Sequence, residues 1–302
     1  MSYQPIENYG IIGDLNTIAL VGLNGSIDFM CFPRFDSPSV FAALLDDSKG
    51  GRYSISPVFK EMKTKQLYFP DTNVLLTRFL SSEGVGEVTD FMPVDPAGEK
   101  RLIRRVTTVR GEVRYTLQCQ PRFEYAKKEH SVVRIADGEV VFRANGPGGL
   151  ALRLRGTEPI AILSGDAGAE FTLRAGERAD FLLESEANQE VRGENFSQYV
   201  TECLRRTINY WKDWMARSTY RGRWMEVVNR SALLLKLLSS SEYGSIIASP
   251  TFGLPEHVGG HRNWDYRYTW IRDASFTVYS LIRLGYSKEA GSFMAWVEKL
   301  FR

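Results

Sequence analysis

The segment Leu254–Phe276 holds the densest group of side chains in this sequence that could do chemistry. It reads LPEHVGGHRNWDYRYTWIRDASF and combines aromatic rings with arginines and carboxylates. Aromatic faces stack on the C–H side of a pyranose ring, while Arg and Asp form charge-assisted hydrogen bonds with neighbouring hydroxyl groups. A loop of this composition costs stability, because each buried polar tip needs a partner. The pattern therefore indicates a sugar-binding loop.

The sequence favours neither a metal site in this segment nor a nucleotide-binding site. His257 and His261 are four residues apart, but Pro255, Gly259 and Gly260 surround them. A helix that would place both rings on one face is therefore not expected, and we predict two loop histidines and no metal site. The sequence also lacks a G-x-S-x-G elbow, a Walker loop and a G-x-G-x-x-G fingerprint.

Arg272 and Asp273 stand where this loop passes into a predicted helix. A carboxylate in the first turn of a helix is stabilised by the helix dipole, which is one role for Asp273. Direct binding of a ligand is the other. Composition alone leaves both roles open.

The stretch Gly25–Asp47 is the second unusual segment. Arg34 and Asp36 flank Phe35, and we expect an Arg–Asp pair that braces the loop in preference to a direct substrate contact. The next residues, Ser39–Leu45, suggest a short helix. Cys31 has no basic neighbour that would lower its thiol pKa, so it is expected to be a small buried residue.

Charge and composition limit the classes of partner that the sequence favours. The 302 residues carry 38 basic and 36 acidic side chains, a net charge of +2, which does not favour nucleic acid. Three widely spaced cysteines do not suggest a disulfide framework. The N-terminus lacks the features of a signal peptide, and no run of about 18 apolar residues suggests a membrane span. We therefore expect a cytoplasmic protein without nucleic-acid or membrane partners.

The elements that must position these residues fall into two halves. From about residue 9 to 185, short β-rich runs alternate with turn signals, as in an antiparallel sandwich or barrel. Asn24-Gly25 and Asp137-Gly138 suggest type I′ hairpins, in which both central residues need positive φ. The alternating run Arg101–Arg105 suggests a half-exposed strand.

From Glu194 onward the apolar residues recur every three or four positions, which predicts helices. The predicted helices run from about 194 to 215, from 224 to 238, from 273 to 284 and from Ser287 onward. The second should be buried on most sides. Gly285 is a plausible residue just beyond a helix end, and Ser287 a plausible N-cap. The last helix has an apolar face that needs partners, so we expect the sequence to stop inside a larger domain; the alternative is that this helix packs on the β domain.

At both unusual segments the chain resembles glycoside hydrolase family 15, the glucoamylase and trehalase-like group. The stretch IENYGIIGDLNTIALVGLNGSIDFMCFPRFDSPSVFAALLD resembles the β domain that precedes the catalytic domain, and NWDYRYTWIRDASF resembles the opening of the catalytic barrel. The resemblance implies a multi-domain β + α chain. An antiparallel β-sandwich (the trehalase-like N-terminal domain) would occupy residues 1–190, a helical linker 191–220, and the first helices of an incomplete (α/α)6 barrel 221–302.

The resemblance also implies an activity, the inverting hydrolysis of α-glucosidic bonds that releases glucose from α-glucans, α-glucosides or trehalose. It leaves the choice among these substrates open. The residues it assigns to the subsite for the released glucose, here called the −1 subsite, are Tyr266, Trp270, Arg272 and Asp273. The residues it assigns to a supporting role are Asn263, Trp264 and Asp265.

The same resemblance places the catalytic acid and base glutamates beyond residue 302. Glu256, Glu289 and Glu298 match neither position, so the 302-residue chain alone is expected to be inactive. No cofactor is implied, although a trehalase-like member could depend on phosphate and magnesium. The alternative is a non-catalytic carbohydrate-binding or scaffold β-sandwich protein.

Overall fold

The structure, a computed structural model, describes residues 3–94, 98–188, 196–257 and 259–302. Within these ranges strands come first and most helices follow. The strands are β1 (Tyr9–Gly13), β2 (Ile18–Gly22), β3 (Ser26–Cys31), β4 (Ser39–Phe41), β5 (Tyr53–Pro57), β6 (Lys63–Tyr68), β7 (Leu75–Leu80), β8 (Gly84–Phe91), β9 (Arg101–Cys119), β10 (His130–Ala136), β11 (Glu139–Ala144), β12 (Ala151–Gly156), β13 (Ala161–Leu163), β14 (Asp166–Arg174) and β15 (Arg178–Ser185). The helices are α2 (Phe196–Met215), α3 (Met225–Leu237), α4 (Ile271–Arg283) and α5 (Ser287–Leu300), and the label α1 (Phe123–Ala126) is used for a single turn with positive φ at its last three residues.

The long strand β9 joins two antiparallel sheets. Its first half pairs with β8 and β15, and its second half pairs with β5 and β14. Gly111, at the change of sheet, has a φ of 79°, a conformation that favours glycine. One sheet has the strand order β6-β7-β8-β9-β15-β12-β11-β10, and the other runs β13-β14-β9-β5-β3-β2-β1. The expected antiparallel β domain is confirmed.

Aromatic side chains fill the space between the two sheets. Phe171 of β14 stacks on Tyr115 of β9, with ring centroids 5.5 Å apart, and contacts Phe181 of β15 in the opposite sheet at the same distance. All three rings are buried. Each such side chain contributes about 1.5–3 kcal/mol when it leaves water, so this layer is a main source of stability.

The run Arg101–Arg105 is a strand, as predicted, but it is buried along its whole length and not half-exposed. One face of this part of β9 meets the core between the sheets. The other face is covered by α2, where Ile103 packs with Val200 and Cys203. Arg105 donates to the carboxylate of Asp180 and also reaches α2. The prediction was wrong because the covering helix lies far along the chain, with 92 positions between Arg105 and its partner Ser197.

Arg104 lies on the inward face of β9 and is completely buried, as is its partner Asp90. Its Nε donates to Asp90 at 2.8 Å, and its two terminal nitrogens donate to the carbonyl oxygens of Tyr53 and Gly25 at 2.6 and 2.7 Å. The guanidinium also lies 4.8 Å from the centre of the Tyr53 ring. One side chain therefore ties the two sheets together across the core.

The two predicted hairpins form, but neither has the expected type I′ turn. The first has a three-residue loop, Leu23–Gly25, in which only Gly25 has positive φ. A register shift in the pairing of β2 with β3 accommodates the extra residue. An added Cβ at Gly25 would overlap the carbonyl oxygen of Ile55, so the glycine is also needed for a close approach. In the second hairpin neither Asp137 nor Gly138 has positive φ, and a bulge in β10 adjusts the register.

The short helix expected at Ser39–Leu45 is absent. Ser39–Phe41 is the strand β4, which pairs with β3, and a turn follows it. All three residues of β4 are buried. Pairing with a neighbouring strand satisfies their backbone groups, and this tertiary contact overrides the local preference for helix.

The helices α2–α5 pack beside the β domain. Residues 194 and 195 of the first predicted helix lie outside the described residues. Gly285 has the positive φ predicted for it, but Ser287 is the first residue of α5 and Tyr286 is the N-cap. The helix α3 is not buried on most sides, since Val227 is 64% exposed. No helix in the described ranges is long and apolar enough to cross a membrane.

Asp14, in the turn between β1 and β2, gives the fold a testable dependence on pH. Burial raises the pKa of its carboxyl to about 6, although the backbone N–H groups of Thr17 and Asn16 donate to it and favour the charged form. The unfolded carboxyl titrates near 3.9, so the native state holds a proton that the unfolded state has released. The free energy of unfolding should therefore fall by about 2–3 kcal/mol as the pH rises from about 4 to 6.

The substitution Asp14→Asn isolates this effect, because its side-chain oxygen still accepts from both N–H groups and stays neutral. Relative to the wild type, the variant should gain about 2–3 kcal/mol between pH 4 and pH 7 in urea unfolding. A difference that stays constant over this range would contradict the assignment.

Candidate functional site

The candidate segment is held in place by pairing with the chain just before it. Residues 248–253 run antiparallel to residues 264–268, and the backbone N–H of Ser249 donates to the carbonyl oxygen of Tyr266 at 2.8 Å. Between these two stretches the chain forms a loop that contains His257 and His261, both exposed. The prediction that these histidines lie in a loop is confirmed.

Arg267 anchors the segment to the β domain and is only 4% exposed. Its guanidinium forms a two-point ion pair with Asp265, with N–O distances of 3.0 and 2.7 Å. A terminal nitrogen donates to the carbonyl oxygen of Ser37 at 2.7 Å. The guanidinium carbon also lies 4.4 Å from the centre of the Phe252 ring. These contacts fix the loop after β3 against the candidate segment.

The electrostatics of the anchor keep Arg267 and Asp265 charged. Burial opposes the charge on both groups, but their mutual hydrogen bonds prevail, so the pKa of Asp265 is lowered and that of Arg267 is raised. Cys31 lies 3.4 Å from Arg267, yet burial raises the pKa of its thiol to about 11. The expectation that Cys31 is a small buried residue is confirmed, but the expected absence of a basic neighbour is wrong, because Arg267 reaches Cys31 from far along the sequence. Burial outweighs this charge, so the thiol is not activated for nucleophilic attack.

The turn α1 brings a tyrosine to the same anchor at a cost in backbone strain. Glu124, Tyr125 and Ala126 all have positive φ, a conformation that costs each non-glycine residue about 1–2 kcal/mol. The Tyr125 hydroxyl lies 3.3 Å from Arg267, and its ring meets Phe252 edge-on at 5.2 Å. These contacts hold the strained turn in place.

Tyr266 and Trp270, both assigned to the −1 subsite, form a stacked pair. Their ring centroids are 5.7 Å apart and the rings are inclined by 23°. Both side chains are half-buried. Trp270 is also the N-cap of α4, so the aromatic pair stands at the beginning of that helix.

Arg272 and Asp273 occupy the first turn of α4, one and two residues after its start at Ile271. Their side chains form an ion pair at 3.1 Å and are 72% and 40% exposed. The helix dipole favours the Asp273 carboxylate at this place. Because the pair is open to solvent, it is also free to accept and donate hydrogen bonds to a ligand, so both roles expected for Asp273 are compatible with the geometry.

The three residues assigned a supporting role differ in their surroundings. Asp265 is the carboxylate partner of Arg267 and therefore belongs to the anchor. Trp264 is 51% exposed, and Asn263 is exposed as well. The structure thus brings Tyr266 together with Trp270 and Arg272 together with Asp273, while Asn263 and Trp264 lie at the surface.

Sequence reasoning missed Arg267 and Tyr125. The signal available for Arg267 was its spacing of two from Asp265, which places both side chains on one face of an extended segment. No comparable signal exists for Tyr125, because its contact with Arg267 joins residues 142 positions apart.

Arg34 and Asp36 form the expected pair at the tip of the loop after β3. Their side chains are 3.5 Å apart, and each is about half exposed. Arg34 also reaches the hydroxyl of Tyr243 at 3.3 Å. The loop is therefore connected to the chain between α3 and α4.

In the described ranges, no three His, Cys, Asp or Glu side chains lie close enough together to hold a metal ion.

Two family models match this chain. Residues 1–174 match the family model described as trehalase-like, N-terminal, and residues 222–302 match the model of glycosyl hydrolases family 15. The candidate residues 263–273 all lie within the second match.

Curated relatives named trehalase align along almost the whole chain. The trehalase of Thermoplasma acidophilum is 34% identical over 280 residues, which cover 91% of this chain and 47% of the relative. Trehalase 1 of Sulfolobus acidocaldarius is 37% identical over 283 residues, covering 93% of this chain and 46% of the relative. The chain thus spans about half the length of the curated relatives it matches.

A solved structure from the human microbiome, described as a kojibiose phosphorylase, has a similar fold. It superposes with a TM-score of 0.50 at 8% sequence identity and covers 94% of this chain and 45% of that one. At this identity the similarity concerns the fold alone.

Proposed function

The chain belongs to the trehalase-like group of glycoside hydrolase family 15, and from this premise we propose that it carries the sugar-binding part of an α-glucosidic hydrolase. The curated relatives named trehalase favour α,α-trehalose as the first substrate to test. Maltose and longer α-glucans are the other members of the proposed substrate class.

The observation that carries the proposal is the pairing of two kinds of group at the start of α4. A stacked aromatic pair, Tyr266 with Trp270, stands next to an exposed ion pair, Arg272 with Asp273. A flat apolar surface beside charged hydrogen-bonding groups matches the two sides of a glucose ring. We assign these four residues to the −1 subsite.

Hydrolysis with inversion needs two carboxyl groups about 6.5–9.5 Å apart, and the acid of the pair needs a raised pKa. Glu289 does not fit this role. Burial raises the pKa of its carboxyl, but the charge of Lys236 and a hydrogen bond from the Trp214 Nε1 at 2.7 Å outweigh this effect. The pKa of Glu289 is therefore lowered. Glu256 and Glu298 lie at the surface, each paired with a nearby arginine. We propose that none of these three glutamates is the catalytic acid or base.

We further propose that residues 1–190 form the β domain, 191–220 a helical linker and 221–302 the first helices of an (α/α)6 barrel. Exposed apolar side chains along α4 and α5 support the assignment of these helices to a barrel, since Phe276 is 69% exposed and Met294 is 59% exposed. Apolar faces of this kind pack against further helices in a barrel.

The test is glucose release from α,α-trehalose, maltose and soluble starch by the product of the complete reading frame that encodes these residues. We expect hydrolysis of at least one of these sugars. The 302-residue chain alone should bind the sugar without hydrolysing it. Absence of hydrolysis together with sugar binding would favour the non-catalytic carbohydrate-binding alternative.

A further inference from the structure

A cavity of about 320 Å³ separates the tip of the β domain from the helices. Its walls come from the loop after β3, the chain between α3 and α4, the segment Arg267–Thr269 and the helix α5. This cavity is distinct from the exposed pair Arg272 and Asp273, which do not line it. Its surface is largely apolar but includes charged side chains, and nothing in the proposed −1 subsite explains these.

The wall on the β-domain side presents hydrogen-bonding groups that are not buried. Arg34 and Asp36 face each other across 3.5 Å and remain about half exposed. Arg34 also contacts the Tyr243 hydroxyl on the opposite side at 3.3 Å. A guanidinium and a carboxylate at this spacing suit neighbouring hydroxyl groups of one ligand.

The wall on the helix side is aromatic. Tyr243 and Tyr268 are 48% and 55% exposed, and Trp296 of α5 lines the cavity beside them. Such rings supply an apolar face with a polar tip, which is the surface that a sugar ring uses for stacking.

The loop that carries Arg34 and Asp36 is held in place by hydrogen bonds between its backbone and a buried side chain. Buried Arg267 donates to the carbonyl oxygens of Phe35 and Ser37, at 3.5 and 2.7 Å. Phe35 itself packs in a small core with Ile247. The cavity wall is therefore formed before a ligand arrives, which lowers the entropic cost of binding.

The charged groups along the cavity carry both signs. Arg34 lies with Asp36 and Glu242, while the charge of Arg267 is already balanced by Asp265, which does not line the cavity. The lining therefore does not favour an anion, and its mixed donors and acceptors suit a neutral polyhydroxylated ring. A volume near the lower end of the usual range of about 300–1,000 Å³ suits one or two sugar rings.

The cavity adjoins the proposed −1 subsite along the chain. Tyr268 lines the cavity, while Tyr266 and Trp270 belong to the −1 subsite. Two residues of extended chain span at most about 7 Å, so the backbone of the cavity wall lies within about that distance of the backbone of the −1 subsite residues.

We propose that this cavity binds the sugar ring on the leaving-group side of the bond that is cleaved, so that the β domain selects the substrate through Arg34 and Asp36. The assignment to the leaving group rests on the proposed function of the neighbouring subsite. Sugar binding by the cavity does not depend on it.

Sugar binding is tested by titrating the 302-residue chain with α,α-trehalose and following tryptophan fluorescence. We expect Arg34→Ala and Asp36→Ala each to weaken binding about 10-fold, because each removes a hydrogen bond to a charged group. The matched control is Arg134→Ala, which removes an exposed Arg–Asp pair on β10, remote from the cavity, and should bind as the wild type does. Wild-type affinity in both cavity variants, or no binding by the wild type, would overturn the proposal.

The leaving-group role is tested with the product of the complete reading frame and two substrates. α,α-Trehalose has a sugar leaving group, and 4-nitrophenyl α-glucopyranoside does not. In Arg34→Ala the ratio of kcat/KM for trehalose to that for the aryl glucoside should fall about 10-fold, but it should not change in Arg134→Ala. An unchanged ratio in Arg34→Ala would refute the leaving-group role while hydrolysis itself upholds the proposed function. If the wild type hydrolyses neither substrate, the proposed function and the leaving-group role both fail, and the titration alone decides whether the cavity binds sugar.

Discussion

Replacing Arg104 by Met is expected to lower the free energy of unfolding by about 3–5 kcal/mol, because it leaves a completely buried carboxylate without its counter-charge. Asp90 is 0% exposed and its ion pair with Arg104 lies between the two sheets. The carbonyl oxygens of Tyr53 and Gly25 lose their donor at the same time. Urea unfolding followed by far-UV circular dichroism measures the loss.

A matched control lies on the same strand. Arg114 pairs with Glu170, and both side chains are about 60% exposed. Arg114→Met should change the free energy of unfolding by less than about 1 kcal/mol, because exposed ion pairs contribute little. If Arg104→Met were as mild as Arg114→Met, the view that Arg104 ties the sheets together would be wrong.

Arg272→Ala and Asp273→Asn are each expected to lower kcat/KM for α,α-trehalose by about 10- to 100-fold. A hydrogen bond to a charged group contributes about 1.5–3 kcal/mol, and about 1.4 kcal/mol corresponds to a factor of ten. The product of the complete reading frame, assayed for glucose release, provides the measurement.

The control for this prediction is Arg262→Ala. Arg262 lies in the neighbouring loop, is 74% exposed and pairs loosely with Glu256 at 3.7 Å. Its loss should leave kcat/KM within about threefold of the wild type, in keeping with the small effect of exposed ion pairs. Because Arg272 is also mostly exposed, its variant should unfold at the wild-type temperature. An Arg272→Ala enzyme as active as Arg262→Ala would contradict the −1 subsite assignment.

The local sequence pattern was sufficient to predict whether each main element is a strand or a helix. Alternation and turn residues predicted the β domain, and a period of three to four predicted α2–α5 to within a few residues. These signals are local, since they follow from which side of an element faces the core. The positive φ of Gly285 was predicted from another local signal, a glycine just beyond the end of a helix.

The structural predictions that were wrong concerned features that depend on contacts between distant parts of the chain. The buried face of Arg101–Arg105 could not be predicted, because α2 covers it from far along the sequence. The helix expected at Ser39–Leu45 became β4 because β3 offers it a pairing edge. The prediction of type I′ turns was wrong at both hairpins, because bulges in the paired strands changed the loops.

The candidate site shows the same division. Tyr266, Trp270, Arg272 and Asp273 were assigned to the candidate site from their types and from the family resemblance, and that assignment stays a prediction. Arg267 was not, because its partners Ser37 and Phe35 lie about 230 residues away in the sequence. A buried arginine and an exposed one look alike in a single sequence.

The most direct test of the account is proton NMR of the glucose first released from α,α-trehalose by the product of the complete reading frame. Inverting attack at one anomeric carbon gives β-glucose, and the leaving sugar departs as α-glucose, so equal amounts of both anomers should appear before mutarotation. Release of α-glucose alone would indicate retention and contradict the proposed mechanism. Absence of glucose would contradict the proposed activity itself.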